Sequence, residues 1–159
     1  NDSKQLTLTQ RDRFYQILTA GDWEYGIGSV APAEIDRLNI HQASRVAMRQ
    51  ALGNLKTPPD FLLVDAVTVP DTDINQRALI HGDALSVAIA AASVIAKFKR
   101  DQLMTEYDAV YPGYGFAKHK GYPTKEHYQA LLELGPTPIH RRSFRLTPNS
   151  SNSSLNFFP

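Results

Sequence analysis

The sequence predicts an α/β or α+β layer fold, and three observations predict it. Phe61-Leu62-Leu63-Val64 is a short apolar run that ends in an acid, Asp65. Ala78-Leu79-Ile80 is a second such run, and it leads into Gly82-Asp83. A long helical stretch of unusually small residues follows, with Ala84, Ala88, Ala90, Ala91, Ala92 and Ala96. Short apolar runs bounded by turn signals read as buried strands. Small side chains let the following helix lie close against a sheet or another helix.

The other elements follow in order. Thr7-x-x-Gln10 is a capping-box pattern that opens a helix through Phe14, Ile17 and Leu18, with Gly21 as its stop. Trp23 to Val30 alternates loosely and reads as a strand, with Gly26 and Gly28 marking a close backbone approach. Pro32 fits the first turn of a short helix through Ile35 and Leu38. Ile40 to Leu52 is a clearer helix, carrying Ala43, Ala47 and Ala51 on one stripe and closed by Gly53. Pro58-Pro59 marks a loop before the Phe61 strand. Val67 to Pro70 continues extended, and Pro70-Asp71-Thr72-Asp73 turns the chain back. The small-residue helix is expected to run from about Ala84 to Tyr107 and to end before Pro112-Gly113. Tyr111 to Pro123 reads as a loop rich in Gly, Tyr, Lys and His. Thr124 caps a final helix containing Tyr128, Leu131, Leu132 and Leu134, stopped by Gly135-Pro136. The length fits one domain over residues 1–146, with an Asn/Ser-rich tail over 147–159 expected to be disordered.

Composition narrows the class. The chain is 42% hydrophobic and 21% charged, as in an ordinary globular protein. No apolar run approaches the ~18–20 residues of a membrane span, and no secretory pattern is recognised. The chain has no cysteine, which excludes disulfides and thiol chemistry and fits a cytoplasmic location. Net charge is only +1, but it is unevenly spread: Lys97 to Arg145 carries +4 and the remainder −3. An acidic pocket beside a basic surface suits a polyanion held across a cation site; ordinary surface charge is the alternative. No Gly-rich phosphate loop of the Walker or dinucleotide type occurs, and no Gly-x-Ser-x-Gly elbow. A nucleotide-binding phosphotransferase and a serine hydrolase are therefore poorly supported.

Asp65 and Asp83 are the best carboxylate pair. Each stands at the end of an apolar run, where a hard cation such as Mg²⁺ finds oxygen ligands. The competing reading is that Asp83 only caps a helix and Asp65 only ends a strand. Asp101 lies 18 residues beyond Asp83. On one continuous helix that is roughly 27 Å, too far to share a metal. Asp71 and Asp73 sit in a turn, where aspartate is common for backbone reasons.

A set of ordered motifs adds to this reading. Asp2-Ser3-Lys4-Gln5-Leu6, Leu63-Val64-Asp65 and Gly82-Asp83-Ala84-x-Ser86 come first. Ala90-Ala91-Ala92-Ser93-x-x-Ala96-Lys97, Arg100-Asp101, His119-Lys120-Gly121-Tyr122 and His140-Arg141-Arg142-Ser143-Phe144 follow. Together they resemble bacterial ribonuclease HII, the type 2 ribonuclease H family, from the first residues to about Phe144. The resemblance implies an RNase H-like mixed sheet flanked by helices, with a small helical C-terminal part. It implies an endonuclease, acting as a monomer, that cuts RNA paired with DNA and ribonucleotides embedded in DNA duplex. Mg²⁺ or Mn²⁺ would be the cofactor of a two-metal mechanism. It assigns catalytic metal ligation to Asp65 and Asp83. Two further family acids lie in a Gly-Ile-Asp-Glu-Ala-Gly-Arg-Gly segment absent from this chain, which is therefore expected to be truncated and weakly active or inactive alone. Tyr122 maps onto the family tyrosine at the RNA–DNA junction, and Ser3 and Lys4 onto a segment touching the nucleic-acid backbone.

Other residues are more generic. Lys118, His119 and Lys120 would make salt-sensitive phosphate contacts or stay solvated. Arg141 and Arg142 read as structural ties, and His127 and Tyr128 as packing residues. A non-catalytic nucleic-acid-binding module that uses the basic loop around Tyr122 is the alternative function.

Overall fold

The computed structural model describes residues 6–147. Ser3 and Lys4, and the tail from 148 onward, lie outside the described residues. Nine elements occur among them. These are α1 (Leu8–Ala20), α2 (Pro32–Leu38), α3 (Ile40–Gly53), β1 (Leu62–Asp65), β2 (Gln76–Leu79), α4 (Gly82–Leu85), α5 (Val87–Val110), α6 (Phe116–His119) and α7 (Lys125–Leu134). The chain divides into two compact units. One holds residues 6–30 and 38–99, the other 31–37 and 100–147. No helix of the described residues is long and apolar enough to cross a membrane.

In the first unit, α1 begins with the expected capping box. The Thr7 hydroxyl accepts from Gln10 N–H, and the Gln10 side chain accepts from Thr7 N–H at 2.9 Å. Tyr15 of α1 stacks on Phe98 with ring centroids 3.7 Å apart. Residues 23–30 form no strand, contrary to the sequence expectation. Their polar groups go elsewhere. Asn54 Nδ2 donates to the Ile27 carbonyl, Ser29 N–H donates to Gln50 Oε1, and the Glu24 carboxylate accepts from the amides of Lys56 and Thr57. The segment lies on α3 so tightly that a Cβ on Gly28 would fall 1.8 Å from the Ala47 carbonyl oxygen. The expected close approach is therefore real, although the partner is a helix backbone rather than a strand.

β1 and β2 form a two-stranded parallel sheet, with Leu62 opposite Gln76 and Asp65 opposite Leu79. The connection 66–75 contains no helix. The Gln76 side chain orders it instead, accepting from Val69 N–H at 2.8 Å and donating to the Val69 carbonyl at 2.9 Å. Arg49 of α3 pairs with Asp71 on this connection. Val64, Val69, Ala43, Ile89, Val94 and Ile95 are buried, whereas Leu63, Ile80, Leu85 and Val87 are exposed.

The single helix expected from Ala84 is two. Ser86 breaks it with an extended backbone, φ −132° and ψ 125°. Its carbonyl accepts from Ala90 N–H at 3.0 Å, so Ser86 serves as the N-cap of α5. Serine competes for the backbone better than the alanines around it, and the chain breaks there.

The second unit has its own core of Met104, Tyr114, Phe116, Ala130 and Leu131. The 111–123 stretch is not wholly a loop, because α6 forms within it. Thr124 caps α7 through its hydroxyl, and Gly135 stops it at φ 73°. The segment of Arg141 and Arg142 is tied down in part through backbone, and the Arg141 guanidinium lies over the Phe144 ring at 5.0 Å. Asp36 of α2 accepts from the amides of Arg142 and Ser143 and from the Ser143 hydroxyl, at 2.8, 2.9 and 2.6 Å. Desolvation pushes the Asp36 carboxyl up, but these hydrogen bonds outweigh it and hold its pKa below the usual value.

Candidate active site

Asp65 is the last residue of β1, and Asp83 lies in the first turn of α4, which follows β2 after a two-residue step. The sheet brings the two segments together. Asp65 Oδ1 accepts from Gly82 N–H at 2.9 Å, so one carboxylate is bound to the residue immediately before the other. The approach is close: a Cβ at Gly82 would lie 2.6 Å from the end of the Ile89 side chain and 3.3 Å from Asp65 Oδ1, so both would have to shift. Asp65 is exposed and Asp83 half-buried.

The backbone on both sides is in the left-handed region without glycine. Ala66 has φ 59°, and Val67 N–H closes a three-residue turn onto the Asp65 carbonyl at 2.7 Å. His81 has φ 56°. Left-handed conformations cost a non-glycine residue roughly 1–3 kcal/mol each and cluster where geometry serves chemistry. Two carboxylates offer hard oxygen donors to a hydrated divalent ion. Among the described residues no group of three or more His, Cys, Asp or Glu side chains is placed to enclose a metal.

In the second unit, α6 ends at Lys120 and Gly121, with φ of 52° and 79°. This reversal presents Tyr122, which is 54% exposed. Its N–H donates to the His119 carbonyl at 2.9 Å. Lys120 Nζ donates to Thr105 Oγ1 at 2.6 Å, so this ammonium is anchored to α5. Lys118 is exposed and attracts Glu126. His119, read from sequence as a surface contact, is buried instead. Gly121 N–H donates to its Nδ1 at 3.1 Å, which leaves Nε2 to donate to the Tyr114 carbonyl at 2.7 Å.

His119 stacks on His127 of α7 at 4.3 Å, and His127 Nε2 stands 3.1 Å from His140 Nε2. Both of these histidines are buried. Desolvation, followed by the neighbouring imidazoles, holds His140 down at about 4. Desolvation likewise keeps His127 below its ordinary value. The groups facing the pair are His119 from α6 and Tyr114 from the segment before it, and burial pushes the Tyr114 phenol up. The unfolded chain, with histidine near 6.5, therefore binds more protons between pH 4 and 6.5 than the folded chain. This contribution to stability is complete above pH 6.5 and is lost as pH falls towards 4. For His140 alone it reaches roughly 3 kcal/mol at most, at about 1.4 kcal/mol per pH unit. Urea midpoints should fall between pH 7.5 and 4.5, and His140→Asn should flatten the slope. An unchanged midpoint in the parent would contradict the buried neutral pair.

The family model for ribonuclease HII matches residues 1–147. The chain belongs to the ribonuclease HII family. It is 51% identical over 144 residues to a protein named ribonuclease HII in Clostridioides difficile (strain 630), covering 91% of this chain and 56% of that one. It is 48% identical over 145 residues to ribonuclease HII of Geobacter sulfurreducens, covering 91% of this chain and 67% of that protein. The chain thus spans little more than half the length of several curated relatives that it matches. The crystal structure of ribonuclease H2 from Pyrococcus horikoshii OT3 superposes with a TM-score of 0.72 at 26% identity, over 91% of this chain and 76% of that one. The expected RNase H-like α/β fold is therefore present, with a sheet reduced to two strands among the described residues.

The residues singled out from sequence fall into separate groups. Asp65 and Asp83 lie on neighbouring segments of the first unit. Lys118, Lys120 and Tyr122 lie on one turn of the second. Sequence reasoning missed the linked pair His127 and His140. The signal available was the recurrence of His119, His127 and His140 in one short stretch, since a solvated basic loop has no need of histidine.

Proposed function

We propose that this chain serves an endonuclease that hydrolyses the RNA strand of RNA–DNA hybrids and ribonucleotides embedded in duplex DNA. The reading rests on family membership together with one observation, the Asp65 carboxylate bound to the amide beside Asp83. Asp65 and Asp83 would hold Mg²⁺ or Mn²⁺ as a hydrated ion. When bound, such an ion supplies an activated water and offsets charge on the leaving oxygen. The chain's own part is to hold Asp65 and to bring Asp83 beside it. Gly82 N–H restrains Asp65, and the left-handed turns at Ala66 and His81 set the direction of both segments. Tyr122 would read the sugar and base at an RNA–DNA junction, while Lys118, Lys120, Ser3 and Lys4 would contact phosphates. A cytoplasmic place of action agrees with a cysteine-free chain.

The test is cleavage of a DNA duplex containing one ribonucleotide. Two carboxylates organise a single ion better than the pair of ions, roughly 3.5–4 Å apart, of a two-metal centre. Little cutting is therefore expected from the 159-residue chain. An N-terminal extension carrying Gly-x-Asp-Glu-x-Gly-Arg-Gly should produce a cut on the 5′ side of the ribonucleotide, leaving 3′-hydroxyl and 5′-phosphate ends. Chelation should stop it, and Mg²⁺ or Mn²⁺ should restore it. An extended chain that binds the duplex but never cuts would favour the non-catalytic binding module.

A further inference from the structure

The turn that carries Tyr122 is fastened to the rest of its unit by a directional chain of hydrogen bonds through two buried imidazoles. Thr137 N–H donates to His140 Nδ1 at 2.9 Å, so that nitrogen carries no proton. The His140 proton is therefore on Nε2, which faces His127 Nε2 at 3.1 Å and donates to it. His127 Nε2 is then an acceptor, and its proton sits on Nδ1, 3.1 Å from the Tyr122 carbonyl oxygen. The same carbonyl accepts Thr124 N–H at 2.9 Å. One fixed backbone donor thus sets both tautomers and ends on the residue that presents the exposed ring. A proton added to either imidazole would place two N–H groups head to head.

The rings have little room for another arrangement. His127 and His140 pack against Phe116, with ring centroids 5.5 Å away in each case. Phe116 is itself among the most buried residues of the core. The Pro123 and Gly121 neighbours of Tyr122 do not supply this restraint, since proline has no N–H and the Gly121 N–H is used by His119.

We propose that His127 and His140 are positioning residues for nucleic-acid recognition, holding the Tyr122 backbone through an ordered imidazole relay from the Thr137 amide. The inference rests on the reading of Tyr122 as the junction-contacting residue. It differs from a packing role in one respect: what matters is the donor at the Nδ1 position of residue 127, not the ring.

Two substitutions separate these roles. An asparagine side chain places its amide near the Nδ1 position of histidine, and a glutamine places it near Nε2. His127→Asn can keep the bond to the Tyr122 carbonyl, whereas His127→Gln keeps only the contact with His140. In the complete gene product, with metal chelated, affinities for an RNA–DNA junction duplex and for an all-DNA duplex would be titrated at neutral pH. His127→Gln should lower the junction preference about tenfold, the worth of one lost buried hydrogen bond, and His127→Asn should keep most of it. The Tyr122 amide should exchange with solvent about tenfold faster in the Gln variant only. Equal losses of preference in both variants, or an unchanged Tyr122 exchange rate in His127→Gln, would overturn the relay. Tyr122→Ala distinguishes the underlying reading. If it leaves the preference intact, Tyr122 is not the junction contact and the proposed role in recognition falls, while exchange still reports on the relay. If it lowers the preference, His127→Gln should add nothing further in that background. A full additional loss there would also overturn the proposal.

Discussion

Asp65→Asn and Asp83→Asn should each reduce cleavage of a ribonucleotide-containing duplex by about 100-fold or more, in a chain that cuts. The substitution is nearly isosteric. In Asp65→Asn the side-chain carbonyl would still accept the Gly82 N–H, so the bond at 2.9 Å survives and the fold should not suffer. What disappears is the negative charge that, on the proposed reading, would attract a divalent ion and oppose its release. Melting temperatures should therefore stay close to the parent while the rate collapses. Raising Mn²⁺ should recover part of it, since a weakened site is filled by mass action. Asp71→Asn provides the contrast. Its carboxylate pairs with Arg49 on the surface, where side chains are 71% and 52% exposed. Such a pair contributes about 0–1 kcal/mol and no chemistry, so cutting should be unaffected. Full activity in both Asp65→Asn and Asp83→Asn would make the two carboxylates structural.

How legible each part was depends on how local its cause is. Thr7 with Gln10, Thr124 before α7 and Gly135 after it act within a few residues, and the helices they bound lie where the sequence places them. β1 and β2 were legible as apolar runs, although β2 begins at Gln76, before its apolar part. The placement of Asp65 and Asp83 on neighbouring segments follows from the same runs, since each stands just beyond an apolar stretch. The break at Ser86 was hidden because alanines on both sides favour helix, and only one serine competes with them. Trp23 to Val30 misled because its alternation fits a strand, while its partners are side chains of residues 50 and 54 and the backbone of α3. Beyond the recurrence of His119, His127 and His140, nothing in the sequence announces the imidazole relay. It exists only because α7 and the 137–140 turn meet across the Phe116 ring, and no pattern along the chain encodes a tautomer.

Gly28→Ala should be the most damaging single-methyl substitution in the first unit. The added Cβ would lie 1.8 Å from the Ala47 carbonyl oxygen, 2.7 Å from the Ala51 nitrogen and 2.8 Å from the Ala47 carbonyl carbon. All three are backbone atoms of α3, so no rotamer change can make room. The 23–30 segment must lift off the helix. That would strain the nearby bonds that hold it, Asn54 to Ile27 and Ser29 to Gln50. Overpacking of this kind costs about 1–3 kcal/mol where side chains can adjust, and about 3 kcal/mol or more is expected where only backbone can. Gly53→Ala is the opposite case. It lies within α3, and nothing stands within 4 Å of an added Cβ. Replacing glycine by alanine in a helix is favourable by roughly 0.5–1 kcal/mol. Denaturant titration should therefore move the two midpoints in opposite directions from the parent, although each variant adds the same methyl group. A Gly28→Ala midpoint equal to the parent would mean that the 23–30 segment does not rest on α3 as described. A fall in Gly53→Ala would mean that the last turn of α3 is not open as described.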